Sequence, residues 1–233
     1  MSIKVLLPVA GRNRKVEINP SNIFAMAGNY LEHVREGGRA GEVPKEPMIF
    51  AITTNSLIGP GEPIVIPAHI KEYNFPEERV DHEAELAVII GKRGRHIPID
   101  KVYDYIYGYT CFNDVSQRNI QRSGIPSGLF WGKSFDTFSP IGPVVVLQSD
   151  IGNPENLQVT CRVNGAVKQS ANTRDMIFNI PALISFISKQ FTLDEGDIIA
   201  TGTCSGVSPI VPGDTVEVEI ERIGILSNPV KAE

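Results

Sequence analysis

Apolar residues along the chain occur mainly in short runs rich in β-branched side chains, separated by glycine, proline and polar residues. Such runs are typical of strands and predict a β-rich fold. They read KVLLPV, PIVIP, ELAVIIG, GPVVVL, QVTCRVNG, DIIATG and TVEVEI. Helical patterns are few and short. They predict helices over residues 21–36, 114–122 and 181–190, the last with Pro181 in its first turn.

Strands do not alternate regularly with long helices, which argues against a doubly wound parallel sheet. We expect a mainly β fold with short helices (α+β), in which the strands form a roll or sandwich. Charge and proline interrupt the strands in the stretch EYNFPEERV, residues 72–80. We place a boundary there, between a small N-terminal β-region with a helix at residues 1–76 and a core at residues 77–233.

Two glutamates stand at the start of an otherwise apolar strand, in the stretch VDHEAELAVII. Because successive side chains of a strand point to opposite faces, Glu83 and Glu85 share one face, and Ala84 and Leu86 the other. Burying two neighbouring carboxylates without a partner is costly or drives their protonation, and a bound cation removes both problems. The alternative is a strand that starts in solvent and becomes buried after its first residues. If the cation is present, the register places His82 outside its shell.

A third carboxylate, Asp114, stands where a strand ends and the second predicted helix begins. At spacings of four and three, Arg118 and Gln121 share its face of that helix. The alternative is a helix-capping Asp with an ordinary ion pair to Arg118. Three carboxylates suit Mg²⁺ or Mn²⁺, and no His/Cys spacing suits zinc.

A histidine and a carboxylate in the stretch GNYLEHVRE are candidates for a general base and its orienting partner. Asn29, His33 and Glu36 share one face of the predicted helix, and glycines flank the segment. The alternative is a surface helix that carries a histidine. Two further stretches, WGKSF with Lys133 and TGTCSG at residues 201–206, are loop-like and offer polar groups without a specific motif.

Composition narrows the class of protein. At 233 residues with a formal net charge of −5, the chain is large enough for a buried core and has no basic patch for nucleic acid. It shows neither the apolar core of a signal peptide nor a run of the roughly 20 apolar residues that span a membrane. We therefore expect a cytoplasmic protein that binds neither nucleic acid nor membrane. Its three cysteines lack metal-ligand spacing, and their odd number argues against a disulfide framework.

Taken in chain order, several long motifs resemble those of the fumarylacetoacetate hydrolase family. They cover about residues 20–231 and read HVRE, DHEAELAVIIGK, YGYTCFNDVSQRNIQ, WGKSFDTFSPIGP, MIFNIPALISFISKQFTLDEGDIIATGTCSGVSP and GDTVEVEIERIGILSNPV. The resemblance implies a mixed β-roll or β-sandwich of that family's C-terminal-domain type, with residues 77–233 as catalytic core and a lid helix before it. It also implies a homodimer, a divalent metal that is commonly Mg²⁺, and a small 2-oxo or 2,4-dioxo acid as substrate.

Carried over position by position, the resemblance assigns roles to nine residues. The metal ligands are Glu83, Glu85 and Asp114, the substrate-binding residues are Arg118, Gln121 and Thr203, and the catalytic residues are His33, Glu36 and Lys133. Two departures from the family's pattern bear on specificity. The Lys-Pro pair often found before LIGPG is absent, so that a polar contact is lost or is replaced by Thr53, Thr54 or Asn55. The usual TGTP becomes TGTC, which places Cys204 at the pocket edge.

The leading functional hypothesis is a metal-dependent hydrolase that cleaves a C–C bond in an acylpyruvate-type substrate through an enolate. His33, oriented by Glu36, would activate water, and Lys133 would stabilise the oxyanion or protonate the product. The same enolate chemistry serves a 2-hydroxyhepta-2,4-diene-1,7-dioate isomerase, an oxaloacetate decarboxylase or an oxaloacetate tautomerase, and these stay alternatives. A noncatalytic dicarboxylate-binding protein is the alternative from another class.

Overall fold

The computed structural model describes residues 4–37, 43–122, 124 and 127–233. Strands predominate there. In chain order they are β1 Val5–Pro8, β2 Lys15–Ile18, β3 Ile23–Ala27, β4 Met48–Ile52, β5 Leu57–Ile58, β6 Ile64–Ile66, β7 Val80–Asp81, β8 Ala84–Ile90, β9 Ile106–Asn113, β10 Ser116–Gln117, β11 Ser139–Leu147, β12 Gln158–Val163, β13 Ala166–Asn172, β14 Ile198–Ala200, β15 Thr215–Ile220 and β16 Gly224–Ala232. The α-helices are α1 Leu31–Glu36, α2 Arg118–Arg122, α3 Gly128–Trp131 and α4 Ile180–Gln190. The predicted class, mainly β with short helices, is confirmed.

Two sheets contain most of the strands. One has seven strands in the order β4-β3-β14-β8-β9-β11-β5, and the other has five in the order β13-β12-β15-β16-β6. Most neighbours are antiparallel, but β3 pairs with β14, β5 with β11 and β6 with β16 in parallel. This mixed pairing agrees with the expected roll or sandwich.

Strand β8 lies in the middle of the seven-stranded sheet and is buried over its whole length. Leu86 and Val88 on one of its faces belong to the larger core, which also contains residues of the five-stranded sheet. Ala87 and Ile89 on the other face pack in a second core with the β1–β2 hairpin. Since both faces are covered, a charged residue at the start of this strand needs a partner.

The helix predicted over residues 21–36 is wrong in its first half. Residues 23–27 form β3, which pairs with β14 and β4, and only α1 is helical. A strand that is buried on both faces shows no alternation, so its pattern cannot be told from that of a helix. Asn29 consequently lies before α1 and not on a helical face.

The helix predicted over residues 114–122 is also too long. Ser116 and Gln117 pair with Asp81 and Val80, as β10 and β7, and α2 begins only at Arg118. Asp114 is therefore not the cap of this helix. By contrast, α4 matches the prediction to within one residue, with Pro181 in its first turn. No helix in the described part of the chain has the length and apolar character needed to cross a membrane.

Strands from both sides of residue 76 pair with one another. Strands β3 and β4 extend the seven-stranded sheet beyond β14, and β5 forms its other edge. The division into residues 1–76 and 77–233 stays a prediction about folding units.

Candidate active site

Three carboxylates meet where β8 begins and β9 ends. Glu83 immediately precedes β8, Glu85 lies within it and Asp114 follows β9. Antiparallel pairing places Ala84 opposite Asn113, which brings the three side chains to one place. One carboxylate oxygen of each lies within 4.8 Å of the others, and all three residues are buried. We call Glu83, Glu85 and Asp114 the acidic cluster.

Two cationic side chains contact the acidic cluster. Lys133 Nζ lies 2.8 Å from Oε2 of Glu83 and 2.6 Å from Oδ2 of Asp114. Arg118 donates from Nη2 to Oε1 of Glu83 at 2.5 Å and from Nε to Oδ2 of Asp81 at 2.8 Å. Both cations are themselves buried, so their ion pairs lie in a medium that screens charge weakly.

These cations stabilise the negative charges of the three carboxylates to different extents. Burial by itself raises the pKa of Glu83, but Lys133 and Arg118 outweigh it and lower this pKa to about 2. Burial, followed by the charges of Asp114 and Glu83, raises the pKa of Glu85 well above its usual value. Burial also raises the pKa of Asp114 to about 6, although Lys133 opposes this shift. The ionised forms of Glu85 and Asp114 therefore lack part of the positive charge that they need.

The carboxylate oxygens of the cluster fit a divalent cation. Oδ1 of Asp114 is buried and has no hydrogen-bond partner among the described residues. A buried charged oxygen without a hydrogen-bond partner lowers the stability of the fold unless a ligand contacts it. Three carboxylates supply the hard oxygen donors that Mg²⁺ and Mn²⁺ prefer. The residues present therefore fit the metal expected from the sequence.

His82 points away from the acidic cluster. Its Nδ1 lies 3.0 Å from Oε1 of Gln169, and its Nε2 lies 2.9 Å from Oγ of Ser208. Gln169 in turn donates from Nε2 to Oγ1 of Thr203 at 2.8 Å. We call His82, Gln169, Thr203 and Ser208 the amide network. This position of His82 agrees with the strand register inferred from the sequence.

The loop after β14 supplies a backbone donor to the acidic cluster. The N–H of Gly202 donates to Oε2 of Glu85 at 2.8 Å. Gly202 has a φ of +97°, and a Cβ there would lie 2.8 Å from Cβ of Asn29, so this position requires glycine. Asn29 is buried and donates from Nδ2 to the carbonyl of Thr201 at 2.8 Å. The residues before α1 are thereby anchored to this loop.

His33 and Glu36 lie side by side on α1. Nδ1 of His33 is 3.3 Å from Oε2 of Glu36, and Oε1 of Glu36 accepts the N–H of Gly206 at 3.0 Å. No residue of α1 is buried. Asn29, which lies just before the helix, and Glu36, its last residue, therefore join α1 to the loop after β14.

A cavity of about 250 Å³ opens beside the acidic cluster. Its apolar lining includes Met26, Met48, Phe50 and Leu129, and its polar lining consists of His33, Glu83, Arg118, Gln121, Arg122, Lys133 and Thr203. Six of the nine predicted site residues are among these. The other three lie next to lining residues. Glu36 contacts His33, and Glu85 and Asp114 belong to the acidic cluster with Glu83.

The two departures from the family's motifs have different consequences. Thr53 donates from Oγ1 to the carbonyl of Ser134 at 3.1 Å, and Asn55 donates to the same carbonyl at 3.3 Å. They thus hold the residue next to Lys133. Cys204 is buried and is not part of the described lining, so its expected place at the pocket edge is wrong. Its neighbour Thr203 faces the cavity instead.

Three residues near the cluster were overlooked at the level of sequence. Asp81 is buried and accepts hydrogen bonds from Arg118 and Arg79. It stands two residues before Glu83, so strand alternation could have identified it. Arg122 follows Arg118 at a spacing of four on α2, which is also a readable signal. Gln169 lies in a mostly exposed strand and had no local signal.

Comparisons with known proteins identify relatives with three different named activities. A family model described as fumarylacetoacetate (FAA) hydrolase C-terminal matches residues 22–231. Oxaloacetate tautomerase YisK of Bacillus subtilis is 41% identical over 216 residues, which are 90% of this chain and 69% of that protein. The structure of 2-hydroxyhepta-2,4-diene-1,7-dioate isomerase from Mycobacterium marinum has a TM-score of 0.80 and 37% identity, covering 94% of this chain and 78% of the other. Fumarylpyruvate hydrolase from Pseudomonas aeruginosa, in complex with Mn²⁺ and pyruvate, has a TM-score of 0.84 and 26% identity, covering 99% and 97%.

Proposed function

The chain belongs to the fumarylacetoacetate hydrolase family, and from this premise we propose that it is a divalent-metal-dependent enzyme that interconverts the keto and enol forms of a small 2-oxo dicarboxylic acid such as oxaloacetate. The observation that carries the proposal is the acidic cluster beside a cavity lined by a histidine and two arginines. One oxygen of Asp114 in this cluster has no hydrogen-bond partner among the described residues. Of the three relatives described above, the tautomerase shares the largest sequence identity with this chain.

Mg²⁺ or Mn²⁺ held by Glu83, Glu85 and Asp114 would supply the positive charge that stabilises an enolate at the 2-oxo group. Arg118 and Arg122 would bind the substrate's carboxylates. The contacts described for Arg118 use three of its five N–H groups, which leaves two for a ligand. Arg122 lines the same cavity about one helical turn further along α2. Two guanidinium groups favour a dicarboxylate over a monocarboxylate.

His33 is the proposed proton carrier. In the neutral tautomer in which Nδ1 donates to Glu36, Nε2 is the nitrogen that can accept a proton. The C3–H bond of the keto acid breaks, its proton goes to Nε2, and its electron pair moves into the C2–C3 bond while the carbonyl pair moves onto the 2-oxo oxygen. That oxygen then takes the proton from His33. The result is the enol, with no net change of atoms, and the reverse sequence regenerates the ketone.

The size of the cavity also supports a small acid. Its volume of about 250 Å³ lies slightly below the roughly 300 Å³ at which typical ligand pockets begin. A cavity of this size suits a small oxo acid.

The second candidate is the hydrolysis of an acylpyruvate, which the sequence put first. The His33–Glu36 pair favours it, because the same base can take a proton from water as the water oxygen attacks the distal carbonyl carbon. The C–C bond then breaks, and its electron pair stays on the 2-oxo acid fragment, whose C3 takes the proton that His33 removed from water. The other fragment leaves as a carboxylic acid that carries the water oxygen. The fumarylpyruvate hydrolase relative supports this reading.

The test is a substrate comparison with Mg²⁺ or Mn²⁺ present. Crystalline enol-oxaloacetate is dissolved in buffer, and the decay of enol absorbance is followed with and without the protein. We expect acceleration in the wild type and loss of most of it in His33→Ala and in the presence of a chelator. Cleavage of fumarylpyruvate or acetylpyruvate, without any effect on the enol of oxaloacetate, would favour the second candidate and overturn the first.

A homodimer and a cytoplasmic location belong to the same proposal, because the resemblance implies the first and the sequence the second. Light scattering of the purified protein tests the dimer, since a monomeric mass at micromolar concentration would contradict it. Fractionation of cells that express the protein tests the location.

A further inference from the structure

Gln169 is the one buried residue of β13, an edge strand whose other side chains are exposed or half-buried. Its side chain crosses from the five-stranded sheet to the start of β8. A primary amide carries two donors and an acceptor with two lone pairs, and burying it is costly unless these groups are used. All of them are used here, on two segments of the site.

The first segment is the backbone between the two glutamates of the acidic cluster. Oε1 of Gln169 accepts the N–H of Ala84 at 3.0 Å. Nε2 donates to Oγ1 of Thr203 at 2.8 Å, and this hydroxyl donates to the carbonyl of Ala84 at 2.9 Å. Three hydrogen bonds therefore form a closed ring around the single residue that separates Glu83 from Glu85.

The second segment is the loop after β14. The other N–H of the Gln169 amide donates to the carbonyl of Cys204 at 2.8 Å. The same loop presents the N–H of Gly202 to Glu85 and the side chain of Thr203 to the cavity. The amide thus holds the loop and the carboxylate segment at a set distance from each other.

This arrangement replaces a missing strand neighbour. Strand β14 pairs with β8 only from Ala87 to Ile89, and Thr201 continues the contact to the carbonyl of Leu86. Beyond this point no strand of the described residues lies beside the backbone of Ala84 on that edge, and Gln169 and Thr203 satisfy its N–H and C=O. Because side chains alternate along the strand, the orientation of the Ala84 peptide determines the direction of its neighbours Glu83 and Glu85.

We infer that Gln169 is a positioning residue that orients Glu83 and Glu85 for metal binding, although it contacts neither carboxylate. The inference rests on the proposed metal site. It predicts that the amide matters for metal affinity beyond its contribution to stability, as outer partners of metal ligands commonly do.

The test compares two isosteric replacements of buried amides. Gln169→Met keeps the length of the side chain and removes its hydrogen bonds. Asn228→Leu is the matched control, because Asn228 is buried in β16 and donates two hydrogen bonds, to the carbonyls of Gly59 and Glu62 between β5 and β6. Mn²⁺ affinity is measured by calorimetry and by the paramagnetic resonance of free Mn²⁺, and melting temperature is measured without metal.

We expect both variants to melt at a lower temperature, and only Gln169→Met to lose Mn²⁺ affinity, by about tenfold or more. Unchanged affinity in Gln169→Met, or an equal loss in both variants, overturns the inference. If Gln169→Met does not fold, Gln169→Asn is judged by the same criteria, because its shorter amide cannot reach both segments. Absence of Mn²⁺ binding in the wild type would instead overturn the proposed metal site itself, and with it this role of Gln169.

Discussion

Two sets of buried polar side chains meet at residues 82–85, and they differ in how completely their hydrogen-bonding atoms are paired. On one side lies the acidic cluster, in which an oxygen of Asp114 has no partner in the described structure and the pKa values of Glu85 and Asp114 are raised. On the other side lies the amide network, in which Gln169 uses both donors and both lone pairs. The first arrangement leaves a buried charged oxygen that a ligand can contact, whereas the second is complete within the protein.

This difference distinguishes the side chains that bind a ligand from the side chains that stabilise the backbone beside them. Buried polar groups in native proteins are nearly always paired, so an unpaired one indicates a binding partner that the chain itself does not supply. A fully paired group, by contrast, stabilises one arrangement of the backbone. In the metal-free protein the charges of Glu85 and Asp114 are therefore unfavourable, whereas the paired groups of the amide network are favourable. Replacing Asp114 and replacing a member of the amide network should thus have opposite effects on stability.

The largest effect is expected from Glu85→Gln, which replaces a ligand by a neutral side chain of the same shape. We expect Mg²⁺ or Mn²⁺ affinity to fall by more than the roughly 100-fold that removal of an outer partner costs at most. Calorimetric titration measures it. The control is Asp197→Asn, because Asp197 is also a buried carboxylate but its oxygens accept hydrogen bonds from Asn22 and from the backbone of Asp194. Equal affinities in Glu85→Gln and the wild type would remove Glu85 from the site.

The next effect is an increase in the stability of the metal-free protein in Asp114→Asn. In the folded state the pKa of Asp114 is about 6, above its ordinary value of 3.8, so the folded state binds more protons between these pH values. Stability contributed by this group therefore falls as pH rises through that window, and the penalty is complete above pH 6. We expect Asn to raise the free energy of unfolding by about 2 to 3 kcal/mol at pH 7, and not below pH 4.

Urea unfolding in the presence of a chelator measures this gain. Asp197→Asn again serves as control and should lose stability, because its carboxylate is hydrogen-bonded within the protein. A loss of stability in Asp114→Asn at pH 7 would mean that the contact with Lys133 outweighs the cost of burial.

The same contrast explains which parts of the site could be predicted from the sequence. The shared face of Glu83 and Glu85, and the direction of the buried His82 away from the acidic cluster, follow from strand alternation, which is a local rule. Asp114 was identified as a ligand candidate by its residue type and position, although the helix invoked for it begins four residues later. The role of Gln169 depends on its contacts with Ala84 and Thr203, which are separated from it by 85 and 34 positions in the chain. No local pattern encodes such contacts. Residues 23–27 were misread as helix because burial on both faces removes the alternation that distinguishes a strand.

A smaller effect concerns the pH dependence of metal binding. Glu85 and Asp114 must be ionised to act as ligands, and burial raises the pKa of both, that of Asp114 to about 6. Below that pH a cation must displace at least the proton of Asp114 in order to bind. We expect affinity for Mg²⁺ to decrease by at least about tenfold for each pH unit below 6, since one proton or more is released per ion. Titrations at several pH values, in buffers of different ionisation enthalpy, count the protons. An affinity that is constant from pH 7 to pH 5 would contradict the raised pKa of Asp114.

The smallest effect is expected in the amide network at its far end from the acidic cluster. Ser208→Ala removes the partner of His82 Nε2 and leaves the hydrogen bonds of Gln169 to Ala84 and Thr203 in place. We expect a loss of about 1 kcal/mol in the free energy of unfolding, the usual net value of one hydrogen bond, with metal affinity unchanged. Urea unfolding and Mn²⁺ titration of the same preparation measure both quantities. A Ser208→Ala variant with weakened Mn²⁺ binding would show that the whole network, and not Gln169 alone, orients the carboxylates, because the disturbance would have to travel through His82.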